Sequence, residues 1–583
     1  MYLLKVLVLI LSTIEICVGL KTENLIQRTL TNSPLVAPHL IEASRQLNQI
    51  KDDPDSACML CQQVISGIIS LRRSNSTKDV MMDYLNQLCV LYTDWGEDGC
   101  KGRTDIETDT ILFIIDNKKD LQPARFCSIY FQSYNCEDPN ADNWSIPLPD
   151  YAANVASKYV YQNDTDSVQI LQITDVHLDP LYSPGSNAKC SEPLCCDSGV
   201  PANPEDAAGY WGDYKVCDMP WHTMENMMER IREKHKHIDW IYFTGDIVSH
   251  RSWATSVQSN TESIKLMFTL LEKTFPNKTV FPILGNHEAH PADFYSPDTV
   301  DKTSNVSTQW LLDLAADEWS RWLPNATQST IRKGGYYTVL VKPGFRIVAL
   351  NSNVCFISNL WLIYENLDTF GQLQWLVNVL SQAEKNGEKV HILSHVPSSD
   401  DINSCVKIWS KEFRKIVLRF SDTIVAQFNG HTHMDEFKLY FNASDMTEVK
   451  NVAYNGASFA TFVGSNPDYR IYEVDNNNMS VTDYSQYTFN LTQANSNAKS
   501  YPEWYKLYSF KETYGLPDLT HKSLEKLYWQ MTMNNSDNAL VDTYFKLMYR
   551  NSDVYNKAGC DRKCKKKLVC LIAAVETTES VYC

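Results

Sequence analysis

Five short motifs gather residue types that bind metal: Asp175-Val176-His177, Gly245-Asp246, Gly285-Asn286-His287-Glu288, Ser394-His395 and Gly430-His431-Thr432-His433. Carboxylate and amide oxygens mixed with imidazole nitrogens suit borderline divalent cations such as zinc, and glycines let backbone pass close to a crowded centre. A lone Ser-His or Gly-Asp pair carries little information. Five motifs in order, each after an apolar run, point to one centre assembled from distant segments. His250 lies four residues beyond Asp246, whereas His222, His235, His237, His290 and His391 stand outside any motif and read as structural or surface side chains.

The runs that must position these motifs are Val168 to Ile173, Ile238 to Phe243, Val280 to Leu284, Phe345 to Leu350, Val390 to Leu393 and Ile424 to Phe428. Each is short, β-rich and followed by polar residues and then helical sequence. That rhythm predicts a layered α/β domain, which places its site in loops at the carboxyl ends of strands. From about Asn495 the chain reads as a helical subdomain containing Cys560, Cys564, Cys570 and Cys583.

Upstream, six cysteines form a compact block, Cys58-x2-Cys61, Cys89-x10-Cys100 and Cys127-x8-Cys136. Between them, Cys61, Val64, Ile65, Ile68 and Ile69 share one helical face, as do Val80, Met81, Tyr84, Leu85 and Leu88. A polar stretch with Pro147 and Pro149 then predicts a linker.

At 583 residues the chain is long enough for two or three domains. Lys5, the apolar run Val6 to Ile14 and Cys17-Val18-Gly19 read as a secretory signal over residues 1–19. Setting Cys17 aside leaves sixteen of the seventeen cysteines, an even number suited to disulfides in an oxidising compartment. Ten Asn-x-Ser/Thr sequons, at Asn75, Asn143, Asn163, Asn277, Asn305, Asn325, Asn442, Asn478, Asn490 and Asn534, suit a glycoprotein. No later stretch approaches the roughly 18 to 20 uninterrupted apolar residues of a membrane span, so the expected membrane contact is peripheral. A formal charge of -17 argues against nucleic acid as a partner, and the basic run Arg562 to Lys567 reads as a solvated helix face.

Together the five motifs resemble the calcineurin-like metallophosphoesterase signature. The resemblance implies a two-sheet β-sandwich flanked by helices and two metal ions. One would be held by Asp175, His177, Asp246 and His433, the other by Asp246, Asn286, His395 and His431, with Asp246 bridging. Such a pair acidifies a water into the attacking hydroxide. His287 would protonate the leaving group, with His250 as an auxiliary acid or orienting group. Purple acid phosphatases place a tyrosine three residues after the bridging aspartate; Ser249 stands here, which disfavours the iron enzyme.

The cysteine block resembles an all-α saposin domain, which implies a lipid-handling module. Gly209-Tyr210-Trp211-Gly212, Gly371 to Leu376, Asn490 to Asn495 and Glu512 to Pro517 extend the likeness to acid sphingomyelinases over nearly the whole chain. It implies disulfides Cys58–Cys136, Cys61–Cys127, Cys89–Cys100, Cys190–Cys195, Cys196–Cys217, Cys355–Cys405, Cys560–Cys564 and Cys570–Cys583. The expected order is a signal (1–19), a saposin domain (54–140), a linker (141–166), the phosphoesterase (167–494) and the C-terminal helical subdomain (495–583). The expected activity is di-zinc hydrolysis of sphingomyelin to ceramide and phosphocholine by a secreted or lysosomal monomer. The rivals are a phosphodiesterase of nucleotides or other soluble phosphoesters and a noncatalytic lipid-binding protein, which would usually have lost a ligand.

Overall fold

The computed structural model describes residues 54–93, 95–134, 136–150, 167–442, 447–462, 464–533, 538–580 and 583. The expected signal, the second part of the expected linker, and the sequons at Asn163 and Asn534 lie outside the described residues.

The described residues open with four helices, Pro54–Arg73, Lys78–Tyr92, Gly96–Asn117 and Pro123–Tyr130. Thr77 caps the second through a bond from Val80 N, and a proline opens the fourth. The apolar faces of the first two helices turn inward, packing Cys61, Val64, Ile65 and Ile68 into one core with Met81, Leu85 and Leu88, whereas Val80, expected on the same face, is exposed. Cys58–Cys136 and Cys61–Cys127 staple the first helix to the fourth helix and the chain just beyond it, and Cys89–Cys100 joins the second to the third.

Among the described residues the body holds twelve strands: β1 (Ser167–Ile173), β2 (Trp240–Phe243), β3 (Thr279–Pro282), β4 (Tyr337–Lys342), β5 (Phe345–Ala349), β6 (Lys389–Leu393), β7 (Ile424–Asn429), β8 (Glu436–Phe441), β9 (Val449–Asn455), β10 (Asp468–Asp475), β11 (Val481–Thr488) and β12 (Tyr505–Ser509). They form two six-stranded mixed sheets, ordered β12-β11-β10-β1-β2-β3 and β4-β5-β6-β7-β9-β8. Strands β1 to β3 run parallel, as do β5, β6, β7 and β9, while β10 to β12, β4 and β8 pair antiparallel.

The sheets face each other through aromatic rings. Trp240 stacks on Phe345 with centroids 5.5 Å apart, and Tyr242 meets Phe428 at 5.0 Å. Polar bonds cross the same core: Gln172 Nε2 donates to Asn429 O at 3.0 Å, and His391 lies 2.8 Å from the Tyr242 hydroxyl. Helices Trp221–Lys234 and Val257–Thr274 add apolar faces to the core shared with the first sheet. Helices Gln372–Asn386 and Lys407–Arg419 cover the second sheet, and that core is continuous with the N-terminal helices.

Two expectations need refinement. The stretch after Asn495 is not helical throughout: β12 first pairs with β11 at the edge of the first sheet, and helices follow it. Five residues were too few to stand out by period alone. The described part of the expected linker is tied to the body. Trp144 Nε1 donates to Asn366 O, Ile146 N donates to Glu412, and Arg419 Nε donates to Pro149 O. The helical block is anchored as well, with Gln132 Nε2 donating to Cys405 O at 3.1 Å and Lys407 N to Gln132 Oε1 at 2.9 Å. A small apolar cavity of about 60 Å³ lies at this junction, lined by Ile65, Ile69, Leu85 and Ile111 of the block and Leu360 and Ile363 of the body.

Candidate active site

The five motifs follow β1, β2, β3, β6 and β7, so neighbouring strands bring them to one rim. Asp175, His177, Asp246, His431 and His433 all take left-handed backbone, with φ of 49, 37, 60, 73 and 59°. Non-glycine residues rarely adopt it, and its clustering here is backbone strain held by the surrounding fold. Two glycines allow the crowding. A Cβ on Gly285 would stand 2.1 Å from Asp246 Oδ1, and one on Gly430 2.3 Å from Thr174 Oγ1.

Asp246 occupies the middle. Its Oδ2 lies 3.4 Å from His177 Nε2 and 3.2 Å from His395 Nε2, while His287 N donates to its Oδ1 at 2.9 Å. On one side His177 Nε2 and His433 Nε2 approach to 3.1 Å, and His433 Nε2 stands 3.4 Å from Asp175 Oδ1. On the other, Asn286 Oδ1 lies 3.0 Å from His395 Nε2 and 2.9 Å from His431 Nδ1.

Neighbouring groups aim these donors. His177 Nδ1–H donates to Val248 O at 2.8 Å and His395 Nδ1–H to Thr244 O at 2.7 Å, which turns each Nε2 toward the centre. Asn286 spends its NH₂ on Asp293 Oδ1 at 2.7 Å, presenting its oxygen inward, and His431 Nε2 rests 3.2 Å from Ser404 Oγ. Glu288 accepts from Gly285 N at 2.7 Å and from Ile247 N, locking two motif loops together.

Electrostatics show a site built around compensating charge. Burial pushes the Asp175 carboxyl up to about 7 and drives the His177 and His433 imidazoles well down. At Asp246 burial is outweighed by His395, His287 and His177, which hold the carboxyl well below its ordinary range. Against its own burial, His395 is lifted to about 10 by Asp246.

The donor set fits metal. The donor atoms of Asp175, His177 and His433 lie within 4.8 Å of one another, as do those of Asp246, His395 and His431, giving two candidate cation positions either side of Asp246. The ring nitrogens of His177, His250 and His287 form a third group of the same kind. The His250 and His287 rings are 4.7 Å apart, and Phe462 stacks on His250 at 4.0 Å. Among the described residues His287 Nδ1 is buried without a hydrogen-bond partner.

Sequence reasoning missed Asp218. Its fully buried carboxylate accepts from His250 Nδ1 at 2.7 Å, His250 N at 2.6 Å and Ser249 Oγ at 2.8 Å. Asp293 and Ser404 were missed too. None of the three stands in a motif that could have marked it. The histidines outside the motifs lie elsewhere: His222 bonds Tyr210 O, His235 the Tyr469 hydroxyl, and His391 is buried between the sheets. Eight of the sequon asparagines lie within the described residues; Asn75, Asn143, Asn277, Asn305, Asn325 and Asn478 are exposed, while Asn442 and Asn490 are half-buried. The remaining disulfides are Cys190–Cys195, Cys196–Cys217, Cys355–Cys405, Cys560–Cys564 and Cys570–Cys583. Among the described residues no helix is long and apolar enough to cross a membrane.

Two facing mixed sheets with this donor set at the strand ends define a calcineurin-like metallophosphoesterase, and the family model for calcineurin-like phosphoesterases matches residues 168–435. The model for the acid sphingomyelin phosphodiesterase C-terminal region matches residues 437–583. A sphingomyelin phosphodiesterase of Bos taurus is 31% identical, covering 94% of this chain and 85% of its own. One of Homo sapiens is 35% identical over 79% of this chain and 72% of its own. A cyclic GMP-AMP phosphodiesterase of Homo sapiens is 30% identical over 71% and 89%. The chain belongs to the acid sphingomyelin phosphodiesterase family.

Proposed function

We propose that this chain hydrolyses sphingomyelin to ceramide and phosphocholine, with two zinc ions as cofactors. The observation that carries this is the convergence of seven donor residues, Asp246 in the middle, in a chain so similar to named sphingomyelin phosphodiesterases. Asp175, His177, Asp246 and His433 would hold one ion and Asp246, Asn286, His395 and His431 the other; the imidazole-rich set favours zinc. When bound, the pair supplies Lewis-acid charge at the phosphate and an acidified water.

The protein's own groups do the rest. Asp246 keeps the two positions in register, and Asn286 offers an oxygen fixed by Asp293. His287 protonates the departing alkoxide. His250, its Nδ1 held by Asp218, presents Nε2 as the auxiliary acid. The N-terminal helices form a saposin-type domain that engages the lipid surface, and the protein works as a secreted or lysosomal monomer, peripheral to the membrane. Residues 54–140 and 167–494 are the two working units, with the C-terminal helices packed on the second.

A nucleotide or other soluble phosphodiester is the second reading, favoured by the cyclic GMP-AMP phosphodiesterase among the relatives. Sphingomyelin in liposomes and a soluble nucleotide diester, each with zinc supplied, separate the two for wild type and His287→Ala. Lipid turnover lost in the variant supports the proposal; turnover of the nucleotide alone overturns the lipid substrate.

A further inference from the structure

Behind His433 stands a side chain that no motif marks. Arg550 follows helix Ala539–Met548 in the C-terminal region and is 0% exposed. Nη1 donates to His433 O at 2.6 Å and to Met548 O at 3.2 Å, Nε donates to Asn466 O at 2.9 Å, and Nη2 reaches Ser458 Oγ at 3.3 Å. Asp468 Oδ2 lies 3.3 Å from Nε and balances the buried charge. Asn466 Nδ2 returns a bond to Arg550 O at 3.2 Å, and Asp435 N donates to Met548 O at 3.1 Å. Arg550 and Asn551 are left-handed, with φ of 51 and 55°, a cost that persists only where the surroundings over-determine it.

We infer that Arg550 is a positioning residue for the metal centre, clamping the left-handed His433 backbone from the C-terminal region so that its imidazole faces Asp175 and His177. The inference rests on the metal reading above. A guanidinium suits the task because its planar fork reaches several fixed acceptors at once; a lysine ammonium on a flexible stem cannot hold the same set. The His433 carbonyl is thereby fixed from one side while its ring is used on the other. The C-terminal region thus supplies part of the support for a ligand carried by the preceding phosphoesterase segment.

The test uses the full chain. Wild type, Arg550→Met, Arg550→Lys and Leu527→Ala are dialysed against a graded zinc chelator, and retained zinc is counted beside turnover of a soluble diester. Leu527 is buried in the same C-terminal region, so its truncation loosens packing without touching the clamp. The expected result is about tenfold weaker retention of one of two ions in Arg550→Met, with turnover partly restored by added zinc, a smaller loss in Arg550→Lys, and wild-type retention in Leu527→Ala. If Arg550→Met is not secreted, Arg550→Lys carries the comparison. Undiminished zinc in both Arg550 variants overturns the clamp, as does equal loss in Leu527→Ala. A wild type that binds no zinc overturns the metal reading itself.

Discussion

The N-terminal helical block and the two-sheet body are held by different means. The block closes amphipathic helices over a modest apolar interior and adds three disulfides, and among its described non-glycine residues only Asn75 is left-handed. The body holds five of its candidate metal ligands in that conformation at once, kept there by bonds between loops: Asp175 N to Gly245 O, Asp246 N to Glu288, His431 N to the Asp175 carboxylate and Arg550 to His433 O. Cohesion in the block is therefore spread over covalent links and exchangeable apolar contacts. In the body it is concentrated at the site, where one added methyl has nowhere to go.

The sharpest way to break that contrast is Gly285→Ala. Its methyl would meet Asp246, and we expect turnover of a soluble diester to fall roughly a thousandfold with zinc lost, measured by kinetics and metal content. A wild-type rate would show that the site yields as readily as the block.

The buried His391 tests the body's core by pH. Its neutral ring accepts from the Tyr242 hydroxyl at Nδ1 and donates through Nε2 to Met479 O, and burial pushes it from 6.5 down to about 4. Between those values the unfolded chain takes up a proton that the folded chain refuses, so stability falls as pH drops from about 6.5 to about 4 and the loss levels off below. The total is on the order of 3 kcal/mol. Melting midpoints of metal-free His391→Gln should therefore shift less than those of wild type over that range, and an equal shift would remove His391 as the cause.

Opening Cys89–Cys100 by a double serine substitution should cost roughly 2 to 3 kcal/mol, from the short loop it closes, and the cost should stay within the block. Proteolysis should then cut the block earlier while turnover of the soluble diester holds. Loss of both would show that block and site are one cooperative unit. The smallest effect is expected of Asp218→Asn: about a tenfold fall in kcat with KM little changed, from an imidazole no longer held by a carboxylate.

The parts legible in sequence were those with local pattern. The six apolar runs are β1, β2, β3, β5, β6 and β7, and the residues after five of them meet at one rim. Helical period marked the first two helices of the block. Strands β4 and β8 to β12 escaped; β8 is buried on both faces and so shows no alternation, and β12 has only five residues. Asp218 stands between Cys217 and Met219 with nothing to distinguish it from a surface aspartate.

The sequence by itself determined which atoms are available: carboxylate, amide and imidazole donors after strands, glycines where backbones must touch, and paired cysteines upstream. Tertiary structure alone decided which of the chemically equal groups would serve. Asp218 is bound to His250 over 32 residues and Arg550 to His433 over 117. A carboxylate or guanidinium acquires such a role from what the fold sets opposite it, and contacts at that separation leave no period or spacing in the chain.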